Sequence, residues 1–115
     1  MRRAKKANWI SVCELDDIVP DTGVCVLVCG EQVAVFRLSG GGLHAIGNVD
    51  PVSGASVLAR GIVGNLGGQV VVASPIHKQH FDLRTGACLE SPGVGVRAWP
   101  VRCEGCTVQV RYDTA

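Results

Sequence analysis

Apolar and polar positions alternate along this chain in short blocks, and glycine breaks nearly every block. Residues 9–13, "WISVC", predict a first strand, and "ELDDIVPDTG" follows as a polar connection with room for one helical turn. "VCVLVC" and "QVAVFRL" are two β-rich runs separated by Gly30-Glu31, a pair that suits a type II′ hairpin turn. "SGGG" then turns the chain into "LHAIGNV". A further strand opens after Gly67-Gly68. "QHFDLRTGACLE" predicts a hairpin turning at Thr85-Gly86, and "VRAWPVRCEGCTVQVRY" a closing hairpin about Glu104-Gly105. Only "ASVLARGIVGN" resists a strand reading, since its spacing allows one helical turn or an irregular loop. Together these elements predict an all-β fold: an antiparallel β-sandwich or partly open barrel with two long loops carried at one end.

Composition supports this and narrows the function. Glycine accounts for 15 of 115 residues and aromatics for only 4%, so Val, Ile and Leu must fill the interior. The net charge of +1 hides an asymmetry. Arg2, Arg3, Lys5 and Lys6 crowd the first six positions, whereas the remainder holds seven basic and ten acidic side chains. Residues 1–8 are expected to form a basic, disordered tail and 9–115 a single domain. An acidic body without an aromatic stacking platform argues against a nucleic-acid surface. No apolar run is long enough for a signal peptide or a membrane span, so a cytoplasmic protein with no membrane contact is expected. In that reducing compartment the six cysteines should be thiols or ligands. Cys25 and Cys29, four apart in a strand-like run, are expected to share a buried face.

Two stretches carry the candidate chemistry: "GNVDPVSGASVLARGIVGN" and "VVVASPIHKQHFDLRTGACLE". In order and spacing they resemble the two ligand loops of a Rieske-like domain, in which two Cys and two His hold a [2Fe–2S] cluster. The ligand positions themselves are degenerate. Asp50 and Val52 stand where the first loop would offer Cys and His, and Ser74 replaces the second Cys, leaving only His77. A serine hydroxyl is a poor ligand for soft iron, Val has no lone pair, and no cysteine stands at a ligand position of either loop. Cys103 and Cys106 have knuckle spacing, but a closed zinc site needs four ligands and only Cys88 and a histidine are left to complete it. They read better as thiols flanking a turn, with a reversible disulfide open to them.

Other constellations in the same residues are weaker. Ser74, His77 and Asp50 could be called a catalytic triad, but no nucleophile elbow surrounds Ser74. His77 and His80 with Asp50 or Asp82 could hold a mononuclear metal; loop histidines satisfied by water or backbone are the plainer reading. Gly40-Gly41-Gly42 reads as a hairpin turn, because no helix N-terminus follows it to bind phosphate. Pro51 and Pro75 stiffen the loop tips, Asp50 can cap its own loop, and Arg60 is expected to pair with Asp50 across the space a cluster would fill.

The combination Asn48, Asp50, Pro51, then Arg60-Gly61-Ile62, then Ser74, Pro75, Lys78, Gln79 and Phe81 resembles the cluster-less small subunits of assimilatory NAD(P)H-dependent nitrite reductases. That resemblance implies a Rieske-like fold and an accessory role in reducing nitrite to ammonium. It places siroheme, a [4Fe–4S] cluster and FAD on the large subunit, and no cofactor or catalytic residue on this chain. The large subunit is the expected partner, with Asn48, Asp50, Pro51, Arg60, Pro75, His77, Lys78, Gln79 and Phe81 at the docking face. The alternative is a Rieske-type [2Fe–2S] ferredoxin serving an oxygenase.

Overall fold

In the computed structural model of the chain the described residues are 8–112; the basic stretch and its expected disorder lie outside them. Ten strands form three antiparallel sheets among these residues. A central sheet is built from β2 (Thr22–Val28), β3 (Glu31–Arg37), β4 (Leu43–Gly47) and the short β8 (Ala98–Trp99). On one side lie β1 (Trp9–Glu14), β10 (Thr107–Arg111) and β9 (Val101–Glu104). On the other lie β5 (Ile62–Leu66), β6 (Gln69–Ala73) and β7 (His80–Asp82). The all-β antiparallel expectation holds, and the sheets stack without closing into a barrel.

The organising element is β3, because Val33, Ala34, Val35 and Phe36 are all fully buried. A strand sends successive side chains to opposite faces, so a continuous apolar run requires cover on both. Val33 and Val35 meet Ile18, Ala45, Trp99, Val108 and Val110 on one face. Ala34 and Phe36 meet Ile46, Leu58, Val72, Phe81 and Leu83 on the other. Phe36 and Phe81 are the largest side chains of this second core, and complete burial of each contributes roughly 1.5–3 kcal/mol.

Several local expectations move by one residue. The β2–β3 hairpin pairs Val28 with Glu31, so its turn is Cys29-Gly30, both at positive φ (49° and 82°). That is a type I′ turn, whose twist matches the flanking strands. Cys29 therefore sits in an exposed turn and Cys25 on the solvent side of β2, correcting the shared buried face. The closing hairpin likewise pairs Glu104 with Thr107 and turns at Gly105-Cys106. "ASVLARGIVGN" divides into a 3₁₀ turn at Leu58–Arg60 and strand β5. Gly64 broke the apolar alternation that would have revealed this strand.

Gly61, between that turn and β5, fixes how the two long loops meet. A Cβ there would overlap the carbonyl of Ala73 and a methyl of Val72. The missing side chain lets the end of the first loop lie flat against β6, which runs directly into the second loop. Gly61→Ala should therefore cost roughly 1–3 kcal/mol by overpacking. Gly64→Ala, with open space around it, should stay within about 0.5 kcal/mol of the parent. Urea denaturation of the two variants distinguishes them.

Candidate functional site

The first loop, residues 48–61, leaves β4 and is tied down at its root by Asn48. Its side-chain carbonyl accepts the Ala59 N–H at 2.8 Å, and its amide donates to Gln32 Oε1 at 3.0 Å. Asp50 then closes the tip. Oδ1 accepts the N–H groups of Val52 (2.8 Å) and Ser53 (3.4 Å), while the Asp50 N–H donates to Ala55 O and its carbonyl accepts from Gly54. This is an Asx turn, the local geometry that aspartate favours.

The second loop, residues 74–79, is closed by Ser74 N–H to Gln79 O and Lys78 N–H to Ser74 O, both at 2.9 Å. Its geometry holds Lys78 at φ 58°, a left-handed backbone uncommon for a lysine. The two loops join where Ser74 Oγ donates to Asp50 Oδ2 at 2.6 Å. Asp50 is wholly buried and Ser74 is 1% exposed, so this is an interior bond between an ionised carboxylate and a hydroxyl. Burial pushes the Asp50 carboxyl up, but hydrogen bonds from Ser74, Val52 and Ser53 outweigh it and hold the carboxyl below its ordinary value.

The ligand-like positions therefore do come together, but as a bonded polar pair. Asp50 and Ser74 satisfy each other in the space between the loops. Val52 points outward at 46% exposure, and His77 is exposed on the second loop. This donor set does not fit a [2Fe–2S] cluster: it has one imidazole, no thiolate, and two of its four positions already spent on each other. The expected Arg60–Asp50 pair does not form; Ser74 and the backbone take the carboxylate, and Arg60 is exposed. Nor does a triad assemble, since Ser74 Oγ donates to Asp50 and accepts from Ile76 N–H.

The other candidates disperse. His80 is bound to Glu90, Nδ1 to Oε2 at 2.6 Å, while its own N–H donates to Glu90 Oε1 at 2.8 Å. These bonds from His80 hold the Glu90 carboxyl below its ordinary value. Sequence spacing gave no hint of this partner, ten residues away across a loop. Asp82 caps the turn at Arg84 and accepts from Gln69. Gly41 N–H donates back to Leu38 O in a tight turn, and Cys103 and Cys106 are exposed free thiols. Among the described residues no three His, Cys, Asp or Glu side chains gather as a metal site would require.

Burial also sorts the expected docking residues. Asn48 (3% exposed), Asp50 and Phe81 are interior and cannot touch a partner; they hold the loops and core in place. Pro51, Arg60, Pro75, His77 and Lys78 are exposed, and Gln79 is half-buried with its amide directed at Ser91. Ile62, 78% exposed beside the second loop, was hidden by the unrecognised strand. It lines a groove of about 360 Å³ together with Arg60, Ala73, Ser74, Pro75, Lys78 and His80.

Comparison with known proteins places this geometry. The profile of the Rieske-like [2Fe-2S] domain matches residues 8–111. The nitrite reductase (NADH) small subunit of Salmonella typhimurium is 43% identical over 106 residues, covering 91% of this chain and 98% of that protein. The chain belongs to the nitrite reductase small-subunit branch of the Rieske-like family. A provisionally named small subunit of this kind from Mycobacterium tuberculosis superposes with a TM-score of 0.91 at 46% identity, over 96% of this chain and all of that one. A nitrite reductase [NAD(P)H] large subunit from Klebsiella oxytoca contains a stretch, 11% of its length, that is 39% identical to 89% of this chain. A Ralstonia ferredoxin component of naphthalene dioxygenase and salicylate hydroxylase systems is more distant, at 30% over 92% of this chain and 97% of its own length. Among its described residues this chain has no helix long and apolar enough to cross a membrane.

Removing the inter-loop bond should be costly. Asp50→Ala leaves Ser74 and two loop N–H groups unpaired and should lose roughly 2–3 kcal/mol; Ser74→Ala should lose about half as much. The double variant should cost less than their sum, because both remove one interaction. The pH dependence follows from the depressed carboxyl. Its stabilising contribution is complete above the ordinary aspartate value of about 3.9 and is lost as pH falls through the lower folded-state value. Thermal melts should therefore show an acid limb starting below about pH 4. Asp50→Asn should shrink that limb without abolishing it, since Glu90 titrates there too.

Proposed function

We propose that this chain is the accessory small subunit of a cytoplasmic nitrite reductase that draws electrons from NAD(P)H, and that it acts by contact without passing electrons. The observation that carries the reading is the buried Asp50–Ser74 bond at the place where ligand thiolates would stand. A loop pair committed to each other in this way keeps the scaffold's shape and gives up its redox chemistry. Flavin, siroheme and the [4Fe–4S] cluster then belong to the large subunit, as the family resemblance implies. The Klebsiella relative, with a domain like this one inside a polypeptide named as the large subunit, supports physical association between the two parts. The docking face is assigned to the exposed ends of both loops, with Pro51, Val52, Pro75 and Ile76 as its apolar centre and Arg60, His77 and Lys78 as donors.

The oxygenase-ferredoxin alternative draws on the Ralstonia relative. It requires two thiolates and two imidazoles, and the loops present one imidazole. Iron and labile-sulfide analysis of the purified chain separates the two: the accessory reading expects neither in stoichiometric amount. For function, nitrite-dependent NADH oxidation by the large subunit should be faster or longer-lived when this chain is added. Identical rate and half-life with and without it would overturn the proposal.

A further inference from the structure

Resting on that reading, we infer that the groove between the second loop and the outer face of β5 and β6 receives an acidic segment of the large subunit carrying an apolar side chain. The groove has a defined construction. Ile62, Ala73 and His80 are register partners across β5, β6 and β7, so they form one row on one sheet face. The adjacent row, Val63, Val72 and Phe81, packs into the core, which turns the first row outward. Ile62, 78% exposed, lines the groove together with Pro75, and Ile76, 49% exposed, lies on the second loop. An aliphatic side chain this open in a concave site is the kind of anchor point that interfaces bury.

The walls set the partner's charge. Arg60 and Lys78 line the groove with His80, whose imidazole is bonded to Glu90. Across residues 48–80 the only acid is Asp50, buried and spent on Ser74. The rest of the described chain carries five basic and eight acidic side chains. A positive end on an acidic body orients a partner whose patch is acidic. Lys78 lines the groove from a backbone at φ 58°, where glycine would be the relaxed choice.

That backbone supplies the test. Lys78→Gly removes the ammonium while relieving the left-handed strain, so its melting temperature should not fall. Binding of the intact chain to purified large subunit is measured by surface plasmon resonance at low and moderate salt for the parent, Lys78→Gly, Lys78→Glu and Ile62→Ser. Arg102→Glu on β9 serves as a distant charge control. The parent affinity should fall with salt. Lys78→Glu and Ile62→Ser should each weaken binding about tenfold or more, and Lys78→Gly by less. Lys78→Glu should also flatten the salt dependence, while Arg102→Glu binds as the parent does. If the parent binds and the groove variants bind equally well, or only a loop-tip variant such as Val52→Ser weakens it, the groove is not the site and the accessory role stands. If the parent neither binds nor alters nitrite-dependent NADH oxidation, the accessory role falls and takes this inference with it.

Discussion

A carboxylate with no solvent exposure is tolerable only if its surroundings replace the water it has lost. Asp50 meets that condition with three donors, two from its own loop and one from Ser74 on the other. The first two would form in almost any aspartate-led turn. The third is long-range and joins the two loops across 24 positions of sequence. Without it the second loop keeps its own backbone bonds and the Gln79–Ser91 contact but loses this tie to the first loop, and Ser74 is a buried hydroxyl without that acceptor. That bond fixes how the two loop tips, which carry Pro51 and Lys78, sit relative to one another.

The rest of the fold delivers the two partners to one another. β3, buried on both faces, anchors Asn48 through Gln32, and Asn48 in turn sets the start of the first loop and the 3₁₀ turn at Leu58–Arg60. Leu58 and Ala59 press that turn into the core beside Phe36. Gly61 then brings the chain against β6, whose last residue, Ala73, immediately precedes Ser74. Packing thus brings the loops within hydrogen-bonding reach, and the polar pair fixes their final geometry. Neither would suffice alone, because apolar contacts are non-directional and a single hydrogen bond stabilises by only about 1 kcal/mol net.

How much of this the sequence discloses depends on the range of the interaction. Alternation over several residues is a local property, and β1, β2, β3 and β10 were legible from it. Turn positions were legible to within one residue, since Gly30 and Gly105 mark a turn without specifying which neighbour shares it. Strand β5 was not legible: Gly64 and Asn65 interrupt its apolar pattern, and its pairing with β6 supplies what its composition lacks. At the site, the identity of the groups at the ligand-like positions (Asp50, Val52 and Ser74) is a matter of residue type and is read directly from the chain. The pairing is not. Arg60 is the obvious counter-charge for Asp50, yet the carboxylate is interior and a guanidinium there would have to be desolvated as well. A short hydroxyl reaches the buried oxygen at far lower cost.

That preference explains how two loops of a Rieske-like fold can be joined without thiolates. A [2Fe–2S] cluster cross-links its two loops through four bonds to protein, so removing thiolates alone would leave the loops unjoined and a cavity between them. Serine differs from cysteine at one atom and aspartate is similar in reach, so two substitutions can put a donor against an acceptor with little change in backbone. Val52 and His77, the remaining ligand-like positions, are free of that duty and face outward. The residues that stand at the thiolate positions are thus the ones that join the loops and hold a partly apolar surface at the same end of the molecule. Residues buried at the joint are constrained by folding, those on its rim by whatever they touch, and the boundary between the two falls between Asp50 and Pro51 and again between Ser74 and Pro75.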